Sequence, residues 1–261
     1  MMKRLISIMV VLMMLILFIP ASLAQVDEGV HLNVGDTFVF GYYEQDNNVE
    51  NGEEPIEWVV LAKDGQKALL LSKHSLDYQA YHSEKGTLTW ESSALRNWLN
   101  TTFLQSAFSL AELDAVITTS VSNANEQNNP EWETAGGNET QDRVFLLSYE
   151  EVASYFEQQD ARKNIGSEHA KALGAKVWPL EETDWWLRSP GKVQQDACYI
   201  GSNGGYHSHS VTSKKGIRPA LWFDFSVSQE NFPAKRYADA AALFGNGQHA
   251  EDRKSIRLNS S

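Results

Sequence analysis

The hydrophobic pattern changes period twice along this 261-residue chain, and that change restricts the fold more than any other feature. The first third carries short apolar and aromatic runs separated by turns rich in Gly, Asp and Asn, a pattern typical of antiparallel strands. The pair Asp64-Gly65 lies between two such runs and predicts a tight hairpin. The same pattern returns from Asp184 to Phe223. Both outer thirds are therefore predicted to be β-structure.

The middle of the chain has helical spacing instead. One apolar stripe is formed by Leu95, Trp98, Leu99 and Phe103. Ser109 with Glu112 has the spacing of a capping box, and Ser148 is predicted to cap a further helix directly after a buried strand over Arg143 to Leu147. Strands, then helices, then strands again predict an α+β fold of antiparallel sheets with two to four short helices, rather than a parallel α/β sheet.

The first 24 residues have the three-part layout of a secretory signal peptide. Its basic, apolar and small-residue parts are Lys3 and Arg4, then Leu5 to Pro20, then Ser22 and Ala24. The apolar part is shorter than the ~20 residues that a spanning helix needs, so cleavage between Ala24 and Gln25 is predicted, with a retained anchor as the alternative. The protein is therefore expected to be secreted or at the cell surface, with no stable membrane insertion after cleavage.

Residues 25–228 are predicted to form one globular domain. A hydrophobic content of 42% and eight Trp residues supply ample material for a core, which argues against disorder. After about Ser228 the strand pattern stops, and residues 229–261 are expected to be an unstructured or artefactual tail.

Charge and cysteine content exclude several classes of function. The formal net charge is −12 and no Lys/Arg cluster is present, so binding to nucleic acid or to anionic membrane is not expected. Cys198 is the only cysteine, which excludes an intrachain disulfide and a Cys-based metal site. It lies in an apolar run, which favours a buried, inert thiol over a nucleophile. No cofactor is predicted.

Two motifs near the end of the chain carry a resemblance to a known family. They are Trp185 to Gly191 (WWLRSPG) and Gly216 to Trp222 (GIRPALW). Further matching stretches are Glu54 to Trp58, Ala68 to Ser72, Thr89 to Glu91, Leu95 to Asn100, Ala107 to Ser109 and Asp142 to Ser148. The chain resembles the bacterial family catalogued as domain of unknown function 6273, over about Gly35 to Phe223. That family has no assigned activity, so the resemblance implies a family and not a function.

The same closing motifs are more distantly similar to C-type-lectin-like domains, including the formylglycine-generating enzyme group. This likeness implies a fold, and a fold does not by itself imply a function. The formylglycine chemistry needs a cysteine pair, which the single Cys198 excludes. The calcium-site motifs of sugar-binding lectins are also missing, because Asn129-Pro130-Glu131 has no Trp-Asn-Asp downstream.

The hairpin from Gly201 to His209, with the adjoining Pro190-Gly191 loop, is the predicted ligand-binding surface. Loops held by a rigid sheet commonly carry binding sites, and this one concentrates groups that donate, accept and stack. The predicted ligand-binding residues are Trp186, Arg188, Asn203, Tyr206, His207 and His209. A plain solvated turn is the competing interpretation, and the loop from Val121 to Thr140 around Trp132 is the alternative site.

Several other residues allow both a structural and a functional interpretation. The aromatic rings of Trp185, Trp186 and Trp222 suit either a core or a sugar platform, and the core is favoured. Arg188 and Arg218 lie inside apolar strands, so each is expected to pair with a carboxylate. The candidate carboxylates are Asp184, Asp196, Asp142 and Asp224. The imidazoles of His207 and His209 share a strand face, but no third ligand is evident, so no metal site is predicted.

Two classes of function stay open at this level. The first is a non-enzymatic recognition module that binds a glycan or a protein. The second is a secreted hydrolase that acts on a polymer. The sequence has no Gly-x-Ser-x-Gly elbow and no phosphate-cradling glycine loop, and its many carboxylates single out no catalytic pair, which favours the first class.

Overall fold

A computed structural model describes residues 32–175 and 181–227 of the chain. The predicted signal peptide with its cleavage site, and the predicted tail, lie outside these residues. Within them, twelve strands and five short α-helices alternate along the chain. The strands are β1 (Thr37–Tyr43), β2 (Glu54–Asp64), β3 (Lys67–Ser72), β4 (Asp77–Ala80), β5 (Val116–Ile117), β6 (Thr119–Val121), β7 (Thr140–Asp142), β8 (Trp185–Pro190), β9 (Asp196–Ile200), β10 (Tyr206–Ser210), β11 (Lys214–Ile217) and β12 (Ala220–Asp224). The helices are α1 (Ala94–Trp98), α2 (Leu104–Ala107), α3 (Leu110–Leu113), α4 (Tyr149–Tyr155) and α5 (Glu168–Ala172).

The first sheet has the order β1-β2-β3-β12-β5 and is antiparallel throughout. Its first three strands form a meander, and Gly65 takes a positive φ of 58° in the turn between β2 and β3. The hairpin predicted from Asp64-Gly65 is therefore confirmed. Strand β1 changes register between Val39 and Tyr42, where Gly41 has a φ of 69° and a Cβ would clash with the Phe108 ring. Glycine is needed there because this strand approaches the helical layer closely.

The second sheet has the order β10-β9-β8-β11-β4. All its pairs are antiparallel except β8 with β11, which run parallel. The chain crosses directly between the two sheets from β3 to β4 and from β11 to β12. The crossings run side by side, because Ser72 N donates to Pro219 O at 2.9 Å and Leu76 N donates to Ile217 O at 2.9 Å. A separate two-stranded ribbon joins β6 to β7.

The helical stripe of Leu95, Trp98, Leu99 and Phe103 is confirmed, with one change. Helices α1 and α2 are joined by a π-helical turn, Leu99–Phe103, so they form one continuous element. Asn100 in that turn accepts a bond from Arg143 N at 2.8 Å and donates to Val144 O at 2.8 Å. The strand predicted over Arg143 to Leu147 is therefore wrong: the segment is held by the Asn100 side chain and by isolated backbone bonds, of Phe145 with Ala220 and of Leu147 O with Arg188 N.

The predicted helix caps are confirmed. Ser109 and Glu112 form a capping box at α3, and Ser148 and Glu151 form another at α4. The fold is α+β, with mostly antiparallel sheets and a few short helices, as predicted. Burial raises the pKa of the Cys198 thiol, as expected for an inert, fully buried side chain. No helix in the described ranges is long and apolar enough to cross a bilayer.

Candidate functional site

The guanidinium of Arg188 on β8 is buried, with 2% of the residue exposed, and it is paired. It forms a two-pronged ion pair with Glu151, through Nη1 to Oε2 and through Nη2 to Oε1, the latter at 2.9 Å. Its Nη1 also donates to Leu146 O at 2.9 Å and its Nη2 to Ser122 O at 3.0 Å. A bidentate pair of this kind aligns the plane of the guanidinium with that of the carboxylate, so the Arg188 side chain is held in one orientation.

Helix capping positions Glu151, the other residue of the ion pair. Helix α4 begins after Ser148, whose side chain accepts a bond from Glu151 N at 3.0 Å. In return the Glu151 carboxylate accepts from Ser148 N at 2.9 Å, while also facing Arg188. One carboxylate therefore closes the start of the helix and neutralises a buried charge.

A cavity of about 360 Å³, here named the Arg188 pocket, lies against this ion pair. It is lined by Thr119, Ser120, Val121, Ser122, Gln127, Phe145, Glu150, Glu151, Ser154, Tyr155, Arg188 and Trp222. Its volume falls in the range of small-molecule sites. Two aromatic side chains reach it while remaining partly accessible: Tyr155, which is 37% exposed, and Trp222, which is half-buried. Burial and the nearby Glu151 raise the pKa of Tyr155, so its hydroxyl stays protonated as a donor.

The structure divides the six predicted ligand-binding residues among several environments. Arg188 lines the pocket just described. Trp186 is fully buried and donates its indole N–H to Gln79 O at 3.1 Å, so it is a core residue. Trp185 is also fully buried, which agrees with the core assignment of both, while Trp222 is not.

Tyr206, on β10, faces a different neighbourhood from the histidines of the same strand. Its ring centroid lies 4.2 Å from that of Tyr149 and 4.6 Å from the guanidinium carbon of Arg162. Burial raises its pKa to about 12. Strand alternation turns His207 and His209 to the opposite face, where they lie 5.3 Å and 6.3 Å from the ring of Tyr199.

The hairpin that carries Asn203 is anchored rather than free. Gln159 donates to Asn203 O at 2.9 Å, and a Cβ at Gly204 would clash with Gln159 O. The side chain of Asn203 lies 3.2 Å from His207 Nε2. The predicted surface thus keeps Asn203, His207 and His209 together, and it separates them from Tyr206, Trp186 and Arg188.

The alternative site around Trp132 coincides with a second cavity, of about 420 Å³, here named the Trp132 pocket. It is lined by Asn125, Asn129, Pro130, Trp132, Glu133, Thr134 and Ala135. Side-chain bonds fix its loop, with Thr134 Oγ1 donating to Gly191 O at 2.8 Å and Gly136 N donating to Asn125 Oδ1 at 3.1 Å. These bonds therefore hold the loop in a defined conformation on the surface of the domain.

The expected carboxylate partners of the two buried arginines are wrong in all four cases. Asp142 pairs with Arg96 at 2.7 Å and Asp184 pairs with Lys215 at 2.9 Å. Asp196 accepts from Ser208, and Asp224 accepts from Ser226. Arg188 pairs instead with Glu151. Each of the four aspartates has a partner other than Arg188 or Arg218.

Arg218 has no carboxylate within ion-pair distance among residues 32–175 and 181–227. Its Nε donates to Ser72 O at 2.8 Å, and its Nη1 is buried with no hydrogen-bond partner in the same ranges. The guanidinium carbon lies 5.0 Å from the ring centroid of Trp185 and 5.8 Å from that of Phe156. Burial lowers its pKa to about 9. Backbone and aromatic faces therefore take the place of a counter-ion.

An acidic cluster stands apart from these cavities, in the loop between β1 and β2. The carboxylates of Glu44, Asp46 and Glu54 have oxygens within 4.8 Å of one another. Among the described residues, this is the group whose spacing could hold a metal ion. They already accept N–H bonds from their own loop: Glu54 from Gln45 N, and Asp46 and Glu44 from Asn48 N. Their position is explained by the geometry of that loop.

Comparison with known proteins places the chain in a family. The profile of a family described as a domain of unknown function (DUF6273) matches residues 65–225, which is more than half of the chain. The chain belongs to the DUF6273 family. The match begins at the turn after β2, later than the Gly35 that the resemblance predicted. It includes both closing motifs, and also Arg188 and Glu151. No curated protein and no solved structure matches the chain, so the C-type-lectin likeness is not confirmed.

Proposed function

We propose that this DUF6273 domain is a non-enzymatic recognition module that acts outside the cytoplasm and binds a carbohydrate in the Arg188 pocket. The observation that carries the proposal is the composition of the pocket wall. Two partly accessible aromatic rings, Tyr155 and Trp222, stand beside the Arg188–Glu151 pair, whose two charges neutralise each other. Aromatic faces offer apolar area to a sugar ring, and fixed polar groups orient its hydroxyls.

The rigidity of the wall supports binding. Arg188 is held by Glu151 and by two carbonyls, so it fixes the pocket wall against which a ligand would lie. Groups that are ordered before binding reduce the entropy lost on association. Ser120, Ser154 and Gln127 add neutral donors and acceptors around the same cavity.

The same contacts argue against the hydrolase alternative. A general acid or nucleophile must be free to exchange a proton or attack a substrate, whereas the Glu151 carboxylate is engaged by Arg188 and by Ser148 N. The described lining includes no His or Cys that would activate Ser120, Ser122 or Ser154. The ion-paired residues of the pocket, Arg188 and Glu151, therefore serve as structure for a binding surface.

The proposed location follows from the sequence. The basic start, the apolar run from Leu5 to Pro20 and the small residues Ser22 and Ala24 are those of an exported protein. An exported acidic domain with no basic patch suits neutral cell-surface or environmental polymers better than anionic ones.

The proposal is tested on a glycan array that carries neutral, amino-bearing and acidic oligosaccharides. We expect binding to neutral glycans, and Ser154→Arg to reduce it by about tenfold or more, roughly 1.4 kcal/mol. Ser154 is exposed on α4, one turn after Glu150, so an arginine there pairs across the pocket mouth without removing a core contact.

Tyr78→Ala is the matched control, because Tyr78 is a half-buried aromatic residue of β4 that lines neither cavity. Retained binding by Ser154→Arg would move the site elsewhere. Release of new reducing ends from a bound oligosaccharide would favour the hydrolase.

A further inference from the structure

We infer that the Arg188 pocket and the Trp132 pocket are two subsites of one groove, which takes a linear, neutral polysaccharide across several sugar units. The inference rests on the proposed function and goes beyond it, because it names the shape and charge of the ligand. The observation behind it is a shared wall between the two cavities.

That wall is a single 3₁₀ turn, Asn125–Gln127, with the residues on either side of it. Ser122 and Gln127 line the Arg188 pocket, whereas Asn125 and Asn129 line the Trp132 pocket. The two cavities are therefore separated by the width of one short turn, on the order of 10 Å with its side chains. A chain-like ligand can cross such a wall, and a single sugar unit cannot occupy both sides.

The wall is anchored on the side of the Arg188 pocket. Ser189 Oγ donates to Gln127 O at 2.7 Å and Ser148 Oγ donates to Gln127 Oε1 at 2.8 Å. Ser189 follows Arg188 on β8, and Ser148 caps the helix that carries Glu151. The elements that build the ion pair thus also fix the wall, so the spacing between the two cavities is set by the core.

Each cavity offers a partly accessible tryptophan. Trp222 lines the first and Trp132 lines the second, and both are half-buried, with the rest of the side chain packed against the core. A flat ring held by its buried part is a rigid stacking surface with little entropy to lose. Two such rings on either side of one turn suit a repeating polymer better than two unrelated small ligands.

The charges select the kind of polymer. Arg188 is the only basic side chain in the two described linings, and Glu151 neutralises it. Glu150 and Glu133 are exposed and leave each cavity with a net negative charge. Uronate, sulfate or phosphate groups would be repelled, in agreement with the net charge of −12, so the groove favours a neutral chain over an anionic one.

The experiment is calorimetric titration of the full chain with β-1,4-linked glucose and β-1,4-linked N-acetylglucosamine oligosaccharides, from monosaccharide to hexasaccharide. We expect affinity to rise by about tenfold or more from disaccharide to hexasaccharide, as a second subsite adds to the first. Trp132→Ala is expected to remove that rise and to leave disaccharide affinity unchanged. Trp132→Leu, which keeps apolar packing and removes the flat ring, is expected to do the same. Ser154→Arg is expected to weaken binding at every length.

The outcomes separate the inference from the proposed function. Binding that is sensitive to Ser154→Arg but independent of chain length, or unchanged by both Trp132 variants, overturns the inference and leaves the proposed function intact. Absence of binding at every length overturns both. Tyr78→Ala serves as the folded control with both wild-type cavities.

Discussion

Arg188 and Arg218 lie in similar sequence settings, each within an apolar strand-like run of the C-terminal β-region, and only 2% and 5% of these residues are exposed. The two buried charges are nevertheless stabilised differently. Arg188 has a carboxylate, Glu151, and two carbonyls. Arg218 has one carbonyl, that of Ser72, and the faces of two aromatic rings. A buried arginine therefore does not by itself predict a carboxylate partner.

The difference follows from position in the fold. Arg188 lies on β8 beside the start of α4, where a capping carboxylate is already present and a cavity opens. Arg218 lies between β11 and β12, where the chain passes from one sheet to the other, and it bonds to the end of β3 at the neighbouring crossing. The first arginine supports a surface, and the second holds the junction of two sheets.

The largest expected effect comes from removing the carboxylate of the first arginine. Glu151→Ala leaves the Arg188 charge buried and unpaired, which typically costs about 3–5 kcal/mol in the free energy of unfolding. Denaturant unfolding measures the loss. Glu150→Ala is the matched control, because Glu150 is the exposed neighbouring residue in the same helical turn, and its loss is expected to cost less than about 1 kcal/mol. Equal losses would mean that the ion pair contributes nothing beyond the helix end.

A smaller effect is expected at the second arginine. Arg218→Met keeps most of the side-chain volume and removes a buried charge that has no counter-ion in the described ranges, while Ser72 O loses its donor. The net cost is expected to stay below about 2 kcal/mol, the scale of one lost hydrogen bond. Arg188→Met, measured in the same way, is expected to cost more, because Glu151 then loses its partner. The opposite order would show that Arg218 carries the more important contact.

The smallest and most specific effect is a dependence on pH. Burial lowers the pKa of Arg218 to about 9, whereas an arginine in the unfolded chain titrates above about 12. The folded state binds this proton more weakly than the unfolded state, so the contribution of Arg218 to stability rises as the pH increases through the folded pKa. The unfolding free energy of the wild type, relative to Arg218→Met, should therefore increase above about pH 9 by up to about 1.4 kcal/mol per pH unit.

The measurement is denaturant unfolding of both proteins at several values from about pH 8 to about pH 10, taken as a difference so that tyrosine titrations common to both cancel. A constant difference across this range would contradict the lowered pKa of Arg218. It would indicate that the guanidinium stays fully charged in the folded protein.

The candidate site could be predicted only in part. The sequence pointed to Arg188 as a buried charge that needs a partner, and it identified Ser148 as a helix cap. It did not connect them, because Glu151 is 37 residues from Arg188 in sequence, and the four proposed aspartates have other neighbours. The sequence feature that could have identified Glu151 is its place in the capping box with Ser148, because the carboxylate at that position can also pair with a buried cation. The Trp132 loop was named as an alternative site and does line a cavity, while the favoured hairpin is divided between two faces of β10.

Local physical chemistry determined the elements of this protein. Turn residues such as Asp64-Gly65, caps such as Ser109 with Glu112, and the period of the apolar residues act over a few positions, so the antiparallel meander, the short helices and the α+β class can be predicted from them. The folded arrangement was needed to show which face of β10 meets Tyr149, which carboxylate reaches Arg188, and that Arg218 lies over Trp185. Those contacts join residues far apart in the chain, and they are fixed by the packing of two sheets, for which the local pattern carries no information.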